Sequence, residues 1–201
     1  MKDNFKQERV NLAAAFRWAA RLNMHEAVAN HFSLAVSDDG SKFLLNPIGM
    51  HFSQICASDL LVIDSKNAET MSQPNAPDAT AWAIHGAMHR NNLHARCILH
   101  VHPKYATILA CLEDKVMKPI DQNTMRFYEK VSIDYDYDGM GVGDEAERLC
   151  TILGDNSVLL MGNHGVLTGP PGCKQGLRRR GEKGRRRSPD RRGREEEEGG
   201  L

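Results

Sequence analysis

The stretch HFSLAVSDDGSKFLL (His31–Leu45) decides the fold class. Residues alternate between His31 and Val36, Ser37–Gly40 (SDDG) has the composition of a tight turn, and Lys42–Leu45 returns as a second strand before Pro47. Sequence-adjacent strands joined by so short a turn must pair antiparallel. Upstream, Val10, Ala13, Ala14, Arg17, Trp18, Ala20 and Leu22 recur near a 3.6-residue period, which predicts an amphipathic helix from Lys6 to Met24. Downstream, Ser58–Asp64 (SDLLVID) reads as a third strand, and Asp78 as the N-cap of a helix running to about Asn91. Cys97–His102 is a buried strand closed by Pro103, and Tyr105–Leu112 a further helix. Residues 121–138 carry mixed signals. Asp144–Leu153 reads as helix, and Ser157–Met161 as a strand entering a turn at Gly162–Gly165. Helices interleaved with mostly sequence-adjacent strands predict a layered α/β sandwich around a largely antiparallel sheet.

The chain has 201 residues, enough for one domain with its own core. Its 26 basic and 26 acidic residues balance overall but are unevenly placed. From Thr168 onward 11 are basic and 6 acidic, leaving 15 and 20 in residues 1–167. A mildly acidic body argues against a nucleic-acid binder, whose basic footprint belongs on the folded surface. Residues 168–201 contain only Cys173, Leu177 and Leu201 as hydrophobic residues, so they are expected to form a low-complexity disordered tail. Composition jumps to Arg, Gly and Pro where a fold should continue. This predicts an aberrant, frameshifted end and a domain over 1–167 lacking its last elements; a basic RNA-binding arm is the alternative. Five cysteines without a CxxC pair fit a reducing compartment. No signal peptide or long apolar span is seen, and the expected location is cytoplasmic, with no membrane partner.

The chemistry concentrates in His100-Val101-His102-Pro103 and Gly162-Asn163-His164-Gly165. Residues i and i+2 of a strand share a face, so His100 and His102 project together while Leu99 and Val101 face away. His164, bracketed by glycines after an apolar strand, sits where the backbone can turn sharply. Three imidazoles with an open position make a catalytic rather than a structural metal site; the plainer alternative is three ordinary histidines. Ala29-Asn30-His31-Phe32-Ser33 and Asn46-Pro47-Ile48-Gly49-Met50 offer donors for an anionic oxygen, or simply turn chemistry.

In this order and spacing, AxxNHFS, NPxGM, SDLLVID, PDATAWAIH, HVHP and GNHG resemble the class II aldolase/adducin family, over about residues 6–167. The resemblance implies a three-layer α/β/α sandwich, a homo-oligomer that is tetrameric in the family, and one divalent metal, zinc first. It also implies lyase chemistry, in which sugar phosphates or related hydroxy-carbonyl compounds are cleaved or rearranged through an enediolate. His100, His102 and His164 match the metal ligands, Asn30 the asparagine of a GNxS phosphate segment, and Gly49 the glycine of a PxG turn. Ser33 and Thr80 complete the expected substrate site. The family's acid before the HxH strand is absent, since the corresponding run is Ala79-Thr80-Ala81. Asp78 and His85 lie on one helical face with Ala81 and are the substitutes at hand, unless they serve only as N-cap and core histidine. The family's C-terminal tyrosine also has no counterpart, which leaves Tyr128 as the available phenol. The alternative function is a non-catalytic adducin-like interaction module associated with the cytoskeleton.

Overall fold

Two antiparallel pairings of one strand organise the sheet. The computed structural model describes residues 5–73, 76–137, 139 and 141–169. Strand β1 (His31–Ala35) pairs antiparallel with β2 (Lys42–Leu45) on one side and with β4 (Cys97–Val101) on the other. Strand β3 (Leu61–Asp64) extends the sheet beyond β2; β7 (Val166–Thr168), β6 (Val158–Met161) and β5 (Val131–Asp134) extend it beyond β4. The order is β3-β2-β1-β4-β7-β6-β5, and among the described residues the only parallel pair is β5 with β6.

Alternation along the strands divides the side chains between two cores. Phe32, Leu44, Val101, Val158 and Val166 pack against Leu12, Phe16 and Ala19 of helix α1 (Lys6–Arg21). Helix α3 (Lys104–Cys111) lies on that face too, with Ala106 against the same cluster. The opposite face sends Ile98, Leu159, Met161 and Leu167 to Ile84 and Met88 of α2 (Ala79–Asn91) and to Leu149 and Leu153 of α5 (Asp144–Leu153). The expected three-layer α/β/α sandwich is therefore present.

Several boundaries differ from the sequence reading for local reasons. Helix α1 stops at Arg21 because Asn23 takes a left-handed φ of 51°. Ser58–Leu60 are not strand: the Asp59 carboxylate accepts from the Cys56 amide and turns the chain before Leu61. The mixed stretch resolves into a one-turn helix α4 (Gln122–Met125) and β5. The folded body runs past residue 167, since β7 includes Thr168 and the Gly169 amide donates to Ser157 O. The expected tail from residue 170 onward lies outside the described residues, as does Cys173. The four described cysteines are free thiols. No helix among the described residues is long and apolar enough to cross a membrane.

Two contacts fix β1 relative to α2. Gly40, at φ 68°, brings the β1–β2 turn so close to α2 that a Cβ there would lie 2.1 Å from His89 O. Beneath it, Ser33 and His89 are buried and joined, with Ser33 Oγ 2.7 Å from His89 Nε2 and the His89 Nδ1–H donating to Ala95 O at 2.8 Å. Burial pushes the His89 pKa down from 6.5 to about 4. The folded state thus resists a proton that the unfolded chain accepts. Stability is full above about pH 6.5 and falls as pH drops toward 4, by up to about 1.4 kcal/mol per pH unit from this residue. Acid unfolding followed by circular dichroism should be shallower in His89→Gln than in the wild type, by about one proton across that window.

Candidate functional site

His100 is the fourth residue of β4 and points to the α2 face; His102 follows the strand end. The β6–β7 connection carries His164 back toward them. Asn163 takes φ 56°, the Gly162 amide donates to Asp134 O (2.8 Å), and the Asn163 amide to Ala110 O (2.9 Å). Gly165 is needed for proximity: a Cβ there would lie 2.4 Å from His102 Cδ2 and 2.8 Å from Val101 O. The result is a near-equilateral triangle of Nε2 atoms, 3.0 Å for His100–His102, 3.1 Å for His100–His164 and 3.2 Å for His102–His164.

The triangle fits a metal. Tetrahedral zinc with bonds of about 2.0–2.1 Å spaces its nitrogens by about 3.3–3.4 Å, a few tenths more than seen here. The protonation pattern agrees. Glu26 Oε2 lies 2.7 Å from His102 Nδ1, so that nitrogen donates to the carboxylate and Nε2 is the atom turned toward the other two rings. Burial, then the neighbouring histidines, holds His100 well below the usual imidazole range, and burial followed by His102 brings His164 down to about 4. At neutral pH both are deprotonated, as a ligand must be.

Beside the triangle lies a pocket of about 200 Å³, whose wall includes Asn30, His31, Asn46, Asp78, Thr80, Ala81 and Tyr137 together with His100 and His164. Asp78 caps α2, its Oδ1 accepting from the Thr80 and Ala81 amides at 2.9 and 3.1 Å. Asn30 Oδ1 accepts from the Glu26 amide at 2.5 Å, and its Nδ2 has no protein partner among the described residues. Asn30 therefore both walls the pocket and steadies the residue behind His102. A larger open groove beside α1, lined by Ala13, Trp18 and Ile55, contains no cluster of metal-ligating groups among the described residues.

The expected site residues separate into two groups. His100, His102 and His164 come together, and Asn30, Asp78 and Thr80 line the pocket. Ser33 does not: it is fully buried between His85 and His89. His85 is also fully buried, behind His31 rather than at the pocket wall. Gly49 serves its turn through φ 73°, with open space around the position of a Cβ. Tyr128 is 52% exposed and forms no part of the wall, whereas Tyr137 packs on His164 with ring centroids 4.8 Å apart. The loop bearing Tyr137 is anchored by Arg148, bidentate to buried Asp134 (2.7 and 2.8 Å) and bonded to Glu145, which in turn accepts from the Gly141 amide. In GNxS the asparagine stands two residues before the serine, and counting back from Ser33 reaches His31, not Asn30. Glu26, His31 and Tyr137 carried no role in the sequence reading; Glu26 in particular lies in a coil with no periodicity to mark it.

Two substitutions test this geometry without touching a ligand. Glu26→Gln should weaken zinc binding by about 10–100-fold, and Gly165→Ala at least as much, because it displaces His102. Zinc competition against a chromophoric chelator measures both, with unchanged circular dichroism expected for Glu26→Gln.

Comparison with known proteins agrees with this fold. The family model for the class II aldolase and adducin N-terminal domain matches residues 10–175. A provisionally named aldolase class 2 protein of Pseudomonas aeruginosa is 30% identical over 163 residues, covering 81% of this chain and 62% of its own length. Alpha-adducin of Rattus norvegicus is 26% identical over 164 residues, covering 80% of this chain and 22% of its own length. Among solved structures, an aldolase II superfamily protein from Pseudomonas syringae superposes with a TM-score of 0.71 at 32% identity, covering 80% of this chain and 65% of that one. The fold is also that of the L-fuculose 1-phosphate aldolase from Glaciozyma antarctica, with a TM-score of 0.66, 23% identity and coverage of 80% and 62%. The chain thus spans less than two thirds of the length of these relatives. By the extent of the family match and the fold, it belongs to the class II aldolase and adducin N-terminal domain family.

Proposed function

We propose that this chain is the metal-binding body of a class II aldolase-type lyase, acting in the cytoplasm as a homo-oligomer on a sugar phosphate or related hydroxy-carbonyl compound. The observation that carries the reading is the convergence of three Nε2 atoms within 3.2 Å, with Glu26 orienting one of them. His100, His102 and His164 would hold a divalent ion, zinc first, which when bound supplies Lewis-acid polarisation of substrate oxygens.

The remaining roles belong to the pocket wall. In retro-aldol cleavage the β-hydroxyl loses its proton, the Cα–Cβ bond breaks with its electron pair moving toward the carbonyl, and a proton returns to Cα. Asp78 is the carboxylate at hand to take the hydroxyl proton, and Tyr137 is the phenol at hand for the returning one. Asn30 and Thr80 orient the substrate. His85 acts through His31, without touching substrate. A second reading, a non-catalytic adducin-like module, is favoured by one observation: buried Ala81 lines the pocket on the α2 face where the aldolase pattern carries an acid.

Elemental analysis of purified protein should find about one metal per chain, lost in His164→Ala. Turnover of a panel of sugar phosphates and free hydroxy-carbonyl compounds on the same samples should be metal-dependent and fall by about 100-fold or more in Asp78→Asn. Metal binding without turnover supports the module; a folded wild type that binds no metal overturns the lyase.

A further inference from the structure

His31 is 6% exposed, lines the pocket and stacks on His100 with ring centroids 4.7 Å apart, yet none of the roles above uses it directly. Behind it runs a buried chain of polar contacts. His31 Nδ1 lies 2.7 Å from His85 Nε2, His85 Nδ1 meets Ser33 Oγ, Ser33 Oγ lies 2.7 Å from His89 Nε2, and His89 Nδ1 lies 2.8 Å from Ala95 O.

The direction of every hydrogen in this chain follows from its far end. A carbonyl oxygen only accepts, so His89 Nδ1 carries the hydrogen. All three imidazoles are buried with no carboxylate hydrogen-bonded to them, and each is neutral at pH 7. His89 Nε2 therefore has a lone pair and accepts from the Ser33 hydroxyl. That uses the only hydrogen of Ser33, so Ser33 Oγ must accept from His85 Nδ1–H. His85 Nε2 is then bare and accepts from His31 Nδ1–H. His31 is left with a lone pair on Nε2, a nitrogen with no protein partner among the described residues.

The geometry points to a specificity role: we propose that His31 Nε2 is the acceptor for a substrate hydroxyl, its tautomer locked by the His85–Ser33–His89 chain. The pocket then selects a polyhydroxy carbonyl compound with a free hydroxyl at this wall, and this wall is not a phosphate subsite. A phosphate dianion has no hydrogen to give to Nε2. It would also share the pocket with the Asp78 carboxylate, with no Lys or Arg on the wall among the described residues. The tautomer stands on the hydrogen-bond chain alone; the ligand class rests on the metal-dependent reading above.

Two measurements on the full chain separate these parts. Long-range proton–nitrogen correlation NMR of the imidazole rings, with the His31 signals assigned by loss in His31→Gln, should show Nδ1 protonated and Nε2 bare. Ser33→Ala should release the His85 and His31 tautomers from this lock, giving mixed Nδ1–H and Nε2–H forms, and Ser33→Thr, which keeps the hydroxyl, should not. Zinc-loaded protein is then titrated with lactate, glycerate and the terminal phosphate ester of glycerate, which present the same chelating end. Glycerate should bind about tenfold more tightly than lactate, since a site built to pair a hydroxyl discriminates against its absence. The phosphate ester should gain nothing over lactate, and Ser33→Ala should narrow the gap between glycerate and the ester. A protonated Nε2 in the wild type, equal binding of glycerate and lactate, or tighter binding of the ester overturns the proposal. Failure to load zinc overturns the lyase reading and the ligand class, while the NMR result still decides the His31 tautomer.

Discussion

In the pairing of β1 with β4, His31 sits opposite His100 and Ser33 opposite Ile98. From this register the pocket is assembled. Residues opposite one another in a ladder point to the same face, so His31 and His100 both turn toward α2 and their rings stack. Two residues along, Ser33 meets the same helix at His85 and His89. A one-residue slip would send all of them to the α1 face, where Phe32, Leu99 and Val101 now complete an apolar core. The alternation of these strands is thus an alternation of chemistry: aliphatic and aromatic toward α1, imidazole and hydroxyl toward α2.

Placing so many polar groups in one layer is costly unless each is paired, since an unsatisfied buried donor or acceptor costs about 1–3 kcal/mol. Most of the layer meets this condition through a single file of hydrogen bonds ending on Ala95 O. The exceptions among the described residues include Asn30 Nδ2, the pocket-wall His31 Nε2 and His100 Nδ1, the last buried without a partner beside the three converging Nε2 atoms. Imidazole lone pairs brought together repel one another unless a cation lies between them. The fold tolerates this through constraints set elsewhere: the extended backbone of β4, the close approach of Gly165, and the Glu26 carboxylate behind His102. Such preorganisation against local preference marks a functional site, where neighbouring structure over-determines the geometry.

Much of this was legible in the sequence. Period-two and period-3.6 patterns located most strands and the longer helices, and Asp78 does cap α2 through the two amides its residue type predicts. The HxH pair also faces one side of β4 as strand geometry requires. What was not legible depends on tertiary docking. Ser33 reads as a ligand donor because a serine hydroxyl has the same chemistry in a pocket or a core, and only its burial between two histidines of α2 tells which. Glu26 and Tyr137 sit in irregular backbone, positioned by Asn30 and by the Asp134–Arg148 pair, so no local period announces them. The parallel pairing of β5 with β6 likewise arises across α5, beyond any adjacent-strand rule.

The charge balance of the assembled pocket bears on what it can stabilise. Ligand imidazoles that bind a cation through their lone pairs bring no charge of their own, and the carboxylates in place are Glu26 behind His102 and Asp78 on the wall. A divalent cation among His100, His102 and His164 would bring the site to formal neutrality before any ligand enters. Negative charge developing on a substrate oxygen next to that cation is then stabilised locally, in a largely buried setting where such interactions act at short range and low dielectric. A ligand arriving with two negative charges of its own would instead face Asp78 and the lone pair of His31. The same arrangement that favours charge created during reaction therefore disfavours charge already present at this wall, and it does so with residues fixed by the β1–β4 register.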